Sequence, residues 1–284
     1  MSREENVKVF KDTLELCETN SRLIKLIDES IAKQYVIKEE DKVETSNDHR
    51  FTSPCKVVVS SKRSLKAASV YKNKKICVHN FASATSPGGG VAHGANAQEE
   101  AICRCSTLYF PISDDSVYYK FHDAHRKMLM GGNLDSTYND DCIYTPGIVV
   151  LKSDDDAPTL LPEDEWYSVD IITCAAPNLR ERESNRMNLG GRNVSVKITD
   201  QQLEFLHKKR LRRILDVAKN ESVDVMILGA FGCGAFSNNP NVVAKAMNEV
   251  IKEYQYDFDT IEFAVYCSPR DTTNYDVFSR IIEW

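Results

Sequence analysis

The chain has 284 residues, 42% of them hydrophobic, and a formal net charge of -6. That length and apolar share exclude a disordered chain and leave room for a sizeable core, as one large domain or a domain with an extension. The acidic balance, with a pI near 5.6, excludes a general electrostatic pull on nucleic acid, so any polyanionic ligand needs a local site.

Nine cysteines are spread along the chain, an odd number with no CxxC pair, and Cys77, Cys174 and Cys267 sit inside apolar runs. They read as free thiols in a reducing compartment, with no zinc site. The first residues, MSREENVKVF, lack the apolar core of a signal peptide, and no run reaches the length of a membrane span. The expectation is a soluble intracellular protein, cytoplasmic or, in a eukaryote, nuclear, with no membrane partner.

Residues 2–33 carry Ser2 with Glu5 in capping-box relation, and apolar residues such as Val7, Phe10, Leu14, Leu23, Ile24 and Ile27 recur at helical spacing. This predicts a packing helix. Residues 38–54 are polar and end in Pro54, which suits a surface connector. We therefore divide the chain into an N-terminal helical extension and connector over 1–54, packed on a core domain over 55–284. CKVVVS is a strand, and the basic stretch Lys62–Lys75 reads as a short helix with a solvated face rather than a nucleic-acid patch. Ile76, Cys77 and Val78 form a short buried strand.

Beyond that strand lies NFASATSPGGGVAHGANAQEE, residues 80–100. Its three glycines, Gly88–Gly90, let backbone N–H groups approach a ligand, and a helix follows from Gln98 to Tyr109, with Asn96 as the expected cap and Glu99 three residues on. In FHDAHRKM, His122 and His125 are three apart, but without a third ligand they read as surface or loop residues rather than a metal site. CIYTPGIVVLK and SVDIITCAAPN are strands. The acidic Asp154–Asp156 between them suits a solvated hairpin tip, and LRERESNRMNLGGRNVSV a long loop.

ITDQQLEFLHKKRLRRILDVAKN is a helix capped by Thr199 with Gln202, its basic cluster on the wet face. VDVMILGAF is a strand buried on both faces, and it runs into a second glycine-rich turn, GAFGCGAFSNNP, with Asn239 and Pro240 opening another helix. FDTIEFAVYCSP is the last strand and NYDVFSRIIEW the last helix. Alternating strands and helices give an α/β sheet covered on both sides.

Two glycine turns on strands of one sheet would clasp a diphosphate between them. Neither is a phosphate loop, since Gly234 is followed by Ala235 and not Lys, and neither sits where the dinucleotide fingerprint requires. Glu99 and Glu100 are neighbours on a helix, so their side chains diverge by about 100° and cannot face each other across one bond. One acid is free to act at a scissile bond while the other orients a sugar hydroxyl, and Gln98 adds donor and acceptor capacity beside them.

Gly88-Gly89-Gly90, seven residues, then Gln98-Glu99-Glu100 resembles the GGG-x(6–8)-QEE signature of poly(ADP-ribose) glycohydrolases. The flanking NFASATSPGGGVAHGANAQEEAICRCSTLY is similar to the bacterial, short form of that family. IYTPGIVVLKSDD, VDIITCAAPN and LGAFGCGAFSNNP continue the likeness, which covers roughly residues 70–280. The resemblance implies a macrodomain, a three-layer α/β/α fold with a mixed central sheet that binds ADP-ribose.

It further implies Glu100 as catalytic acid and Glu99 as the partner that holds the ribose hydroxyls. Gly88, Gly89, Gly90 and Val91, with Gly232, Cys233, Gly234, Ala235 and Phe236, would contact the diphosphate and distal ribose, and Asn80 and Gln98 the ribose end. Adenine stacking would fall to Tyr275 or Phe278. No cofactor or metal is implied. Substrates would be poly(ADP-ribose) or ADP-ribosylated proteins, the product ADP-ribose, with no direct nucleic-acid binding. In hydrolysis of a ribose–ribose bond, Glu100 would protonate the leaving oxygen and later take a proton from water. Burial, with Glu99 as a neighbouring like charge, would keep it protonated. The alternatives are a hydrolase of mono-ADP-ribose on a side chain or nucleobase, and a non-catalytic ADP-ribose reader.

Overall fold

The computed structural model describes residues 1–46, 48–181, 196–268 and 270–282. Most of the glycine-containing stretch read as a long loop before the Thr199 helix therefore lies outside the described residues.

In chain order the elements are α1 (Arg3–Thr19), α2 (Ser21–Lys33), β1 (Tyr35–Ile37), β2 (Lys56–Ser60), α3 (Ser64–Ala68), β3 (Ile76–Phe81), α4 (Gln98–Cys105), α5 (Tyr109–Ser113), α6 (Asp115–Tyr118), α7 (His122–Gly131), β4 (Cys142–Val150), β5 (Tyr167–Cys174), α8 (Asp200–Asn220), β6 (Val225–Leu228), α9 (Pro240–Ile251), β7 (Thr260–Ala264) and α10 (Thr273–Ile281). The strands form one sheet in the order β1-β4-β5-β3-β6-β7-β2. β5, β3, β6, β7 and β2 pair in parallel, whereas β4 runs antiparallel to both its neighbours. The sheet is mixed, and its parallel part leaves the carboxyl ends of β5, β3, β6 and β7 side by side.

Period-two alternation decides which layer each strand residue joins. On β6, Met226 and Leu228 pack with Leu211, Leu215, Val243, Met247 and Phe278, that is with α8, α9 and α10. Val225 and Ile227 face the other way, onto a cluster that holds Phe10 of α1, Leu65 of α3 and Ile102 of α4. Helices thus cover both faces, the three-layer macrodomain-like arrangement.

The N-terminal helix reading needs correction, because one helix is two. Asn20 is extended, its N–H reaches Leu16 O at 3.0 Å, and its side chain accepts from Arg22 N and Leu23 N at 3.0 and 3.1 Å. One residue therefore ends α1 and caps α2. The sequence reading also missed β1, which pairs with β4 at the sheet edge through Tyr35↔Tyr144. Three residues are too few to show a period.

Three charge readings change as well. Asp154 is 5% exposed and accepts from Leu65 N at 2.9 Å, so it is no solvated tip. Its neighbours Asp155 and Asp156 pair with Lys66 and Arg63 of the basic stretch. Arg210, read onto the wet face of α8, is 1% exposed. His122 and His125 are buried rather than surface residues, and His125 bonds Phe121 O at 2.7 Å and Asn139 Oδ1 at 2.6 Å. All nine cysteines are free thiols. Among the described residues no helix is long and apolar enough to cross a membrane.

Candidate active site

A cleft of roughly 870 Å³ opens where the parallel strands end. Its walls come from Phe81 at the end of β3 and Ser83 beyond it, Ala176 after β5, Gly232 after β6, and Ala264 and Val265 at the end of β7. This is the crevice at the carboxyl ends where open α/β sheets bind ligands.

Between β3 and α4 the chain folds back on itself, and the start of α4 is held without a capping side chain. Ala97 occupies the cap position. Asn96, expected there, is drawn away by Arg104, which is buried and needs acceptors. Arg104 donates Nη2 to Asn96 Oδ1 and Nη1 to Ala95 O, both at 2.6 Å. α4 also ends at Cys105 and not at Tyr109, because the chain there turns extended and Ser106 bridges to Val150. Gln98 anchors the helix to β3 instead. Its Oε1 accepts from Phe81 N at 2.9 Å, and its Nε2 donates to His79 O at 2.8 Å and Ser64 Oγ at 3.0 Å. Gln98 faces the cleft with its amide already engaged.

The two acids diverge as their adjacency requires. Glu99 is 2% exposed, and three donors converge on it: Asn80 Nδ2 at 3.4 Å and Gly88 N at 3.2 Å on Oε1, and Ser83 N at 2.7 Å on Oε2. Glu100 accepts from Gly90 N at 2.9 Å on Oε1, while its buried Oε2 has no hydrogen-bond partner in the protein. Both side chains line the cleft. Burial, and then the like charge of Glu100, push the Glu99 carboxyl well above its ordinary range, against the pull of its three donors.

The first glycine turn differs from expectation in its use. Gly88 N and Gly90 N serve the acids and Gly89 N bonds Ser86 O at 3.0 Å, so all three are occupied within the protein. The second turn keeps its donors open. Among the described residues, the N–H groups of Gly232, Gly234, Ala235 and Phe236 have no acceptor in the protein. Successive free N–H groups on a turn form an anion-binding concavity.

Of the residues singled out from sequence, Gly89, Gly90, Gln98, Glu99, Glu100, Gly232, Gly234, Ala235 and Phe236 line the cleft. Asn80, Gly88, Val91 and Cys233 do not. Asn80 is wholly buried and acts on Glu99 from behind, shared with Thr173 Oγ1 at 3.2 Å, and Val91 belongs to the core under α1. Neither suggested adenine-stacking residue faces the cleft. Phe278 lies in the core 6.0 Å from Phe263, and Tyr275 packs at the edge of the same cluster. Tyr266 and Asn274 line that end, with the Arg63 guanidinium 3.9 Å over the Tyr266 ring.

Sequence reasoning missed Arg180, which lines the cleft and lies 5.3 Å over the Phe236 ring. Its position just beyond a parallel strand end was the available signal. It also missed Ser83, whose contribution is a backbone N–H and so leaves no trace in residue type. α1 supports the turn from outside: Asn6 Nδ2 donates to Gly94 O at 3.1 Å and Thr13 Oγ1 to Arg104 O at 2.6 Å.

Comparison with known proteins bears directly on this geometry. The family model described as the catalytic domain of microbial-type poly(ADP-ribose) glycohydrolase (PARG) matches residues 2–153. The poly(ADP-ribose) glycohydrolase of Thermomonospora curvata superposes with a TM-score of 0.80 at 26% identity, over 98% of this chain and 99% of that one. The same enzyme bound to the inhibitor ADP-HPD gives 0.78 at 25%, over 98% and 99%. The Deinococcus radiodurans enzyme in complex with ADP-ribose gives 0.74 at 29%, over 90% of this chain and 96% of that one. A search of curated proteins found no match.

Proposed function

The chain belongs to the microbial-type poly(ADP-ribose) glycohydrolases, and from that premise we propose that it cleaves ribose–ribose O-glycosidic bonds with Glu100 as general acid and base, releasing ADP-ribose. The observation that supports this most directly is the free Oε2 of Glu100, buried at the cleft wall while Oε1 is tethered by Gly90 N.

The buried pair retains a proton at a pH where an ordinary carboxyl has lost it, because two charges so close and so poorly solvated oppose each other. The three N–H donors on Glu99 require lone pairs on both of its oxygens. Glu100 Oε2, which no donor faces, is the oxygen placed to carry the transferred proton. From there it passes to the leaving ribose oxygen as the bond to the anomeric carbon breaks and oxocarbenium character develops. Glu99, held in place by its three donors, presents its carboxyl beside that centre and offers acceptors for the ribose hydroxyls. Water adds to the anomeric carbon and gives its proton to the Glu100 carboxylate, which restores the acid.

The open N–H groups of Gly232, Gly234, Ala235 and Phe236 suit the diphosphate, with Arg180 nearby as a cation. The Phe236 ring would pack on the distal ribose. Residues 1–54 we read as an extension packed on the catalytic unit 55–284 and joined to it through β1 in the sheet and α1 under the glycine turn. Nine free thiols suit a reducing compartment, and we assign the protein to the cytoplasm.

Incubation of wild-type protein and Glu100→Gln with labelled poly(ADP-ribose) tests the reading. Wild type should release ADP-ribose, and the variant should bind ADP-ribose by calorimetry while losing at least about a hundredfold in turnover. Intact polymer in both, with binding retained, would mark a reader. Release only from serine-, glutamate- or DNA-linked ADP-ribose would move the substrate to mono-ADP-ribose.

A further inference from the structure

Behind the second glycine turn lie buried polar groups that none of these steps uses. α8 directs two side chains inward one turn apart, His207 and Arg210, each 1% exposed. Polar groups so deep on an amphipathic helix are costly unless partnered. Arg210 donates to Ala175 O, Thr137 O and Tyr138 O at 3.0, 2.6 and 3.0 Å, and so holds the segment just after β5. His207 Nε2 lies 2.8 Å from Asn238 Oδ1.

Asn238 fixes the direction of that bond. Its Nδ2 donates to Pro177 O at 2.6 Å and Phe236 O at 3.1 Å, so Oδ1 is left as the acceptor and His207 Nε2 must carry the proton. The ring is neutral: burial pushes His207 down to about 4, with the Arg210 charge acting the same way against the Asn238 bond. Asn238 N also donates to Gly232 O at 3.0 Å, and Leu179 N to Phe236 O at 2.9 Å. A carbon added at Gly232 would meet Ala176 Cβ and Asn238 Cγ, each at 2.8 Å. The turn after β6 and the segment after β5 are therefore stitched together by one backbone bond and one side-chain amide, and that amide is oriented by one imidazole.

We propose that His207 is a positioning residue of the substrate site: through Asn238 it fixes Phe236 and the adjoining N–H groups against the segment after β5. The inference rests on the reading that Phe236 packs on the substrate's ribose. His207 touches neither the acids nor the cleft, so its loss acts on binding more than on the chemical step.

The experiment compares His207→Leu, His207→Gln, Asn238→Asp and Phe236→Ala in hydrolysis of labelled polymer, ADP-ribose calorimetry and thermal unfolding. His207→Leu should raise KM and the ADP-ribose Kd roughly five- to tenfold, the worth of one buried hydrogen bond, with kcat within about twofold. His207→Gln, whose amide reaches the same Asn238 oxygen, should return both to within about twofold of wild type. Asn238→Asp keeps the acceptor but loses both donors, and should reproduce the KM rise, which keeps the test open if His207→Leu does not fold. A lowered Tm with unchanged KM and Kd in both His207→Leu and Asn238→Asp would make the network merely structural and overturn the proposal. If Phe236→Ala itself leaves KM and Kd unchanged, the reading of Phe236 falls and the proposal with it. A strong Phe236→Ala beside a silent His207→Leu sinks the relay alone.

Discussion

Gly89→Ala should nearly abolish turnover while leaving most of the protein folded. Gly89 has φ +56°, and a carbon added there would stand 2.6 Å from Glu100 Oε1 and 3.1 Å from Glu99 Oε2. An ordinary contact to carbon is about 3.5 Å, so Glu100 Oε1 must retreat by roughly 0.9 Å. That movement breaks the 2.9 Å bond from Gly90 N and carries Oε2 with it. A displacement of about 1 Å in a catalytic group costs on the order of 100-fold in rate. For stability, the left-handed backbone costs an alanine about 1–2 kcal/mol, and the lost hydrogen bond adds about 1 kcal/mol. At about 2–4 °C per kcal/mol for a large domain, the unfolding temperature should fall by roughly 5–10 °C. The assay is single-turnover release of ADP-ribose from labelled polymer below that temperature, with thermal unfolding in parallel. A variant that unfolds as expected but keeps kcat within about threefold would refute the claim that Gly89 is glycine to make room for the acids.

Asn6→Ala removes the buried donor to Gly94 O; it should cost about 1–3 kcal/mol and lower kcat more than KM, read by denaturant unfolding and steady-state kinetics. Arg180→Ala, which strips the cation from the Phe236 ring, should raise KM about two- to fivefold at unchanged kcat, and the difference from wild type should shrink at high salt. Acid should destabilise the fold early. Burial holds His79 and His122 down to about 3 and His207 down to about 4, so below pH of about 6.5 the unfolded chain gains protons that the folded chain refuses. Stability present above pH 6.5 should therefore fall by about 1.4 kcal/mol per pH unit for each imidazole until the folded values are reached. Glu99 runs the opposite way: raised by burial and by Glu100, it stabilises below the ordinary carboxyl range and loses that contribution as the pH rises through its folded value. Thermal unfolding from pH 7 to pH 4.5 checks the imidazole claim, and a flat profile would contradict it.

The sequence by itself determined the strands β2 to β7, the helices that follow the glycine turns, the two capping boxes, the pairing of each glycine turn with a strand end, and the adjacency that sends Glu99 and Glu100 in different directions. These follow from local rules: side-chain period, backbone freedom and hydrogen bonds between residues a few positions apart. Only the tertiary structure decided where the donors and charges point. Gly88 N and Gly90 N turn to the acids because α4 folds back over the loop that precedes it. Asn96 leaves the helix cap for Arg104 because a buried guanidinium must be satisfied. Arg210 and His207 point inward from α8 because loops from β5 and β6 meet there, and the basic stretch at 62–75 finds its acids far along the chain, as Arg63 does in Asp156 and Lys62 in Glu262. No local pattern records such pairings, since the partners are brought together only when the sheet assembles. The divergence of Glu99 and Glu100 was therefore legible from their adjacency, while the groups that orient them were not.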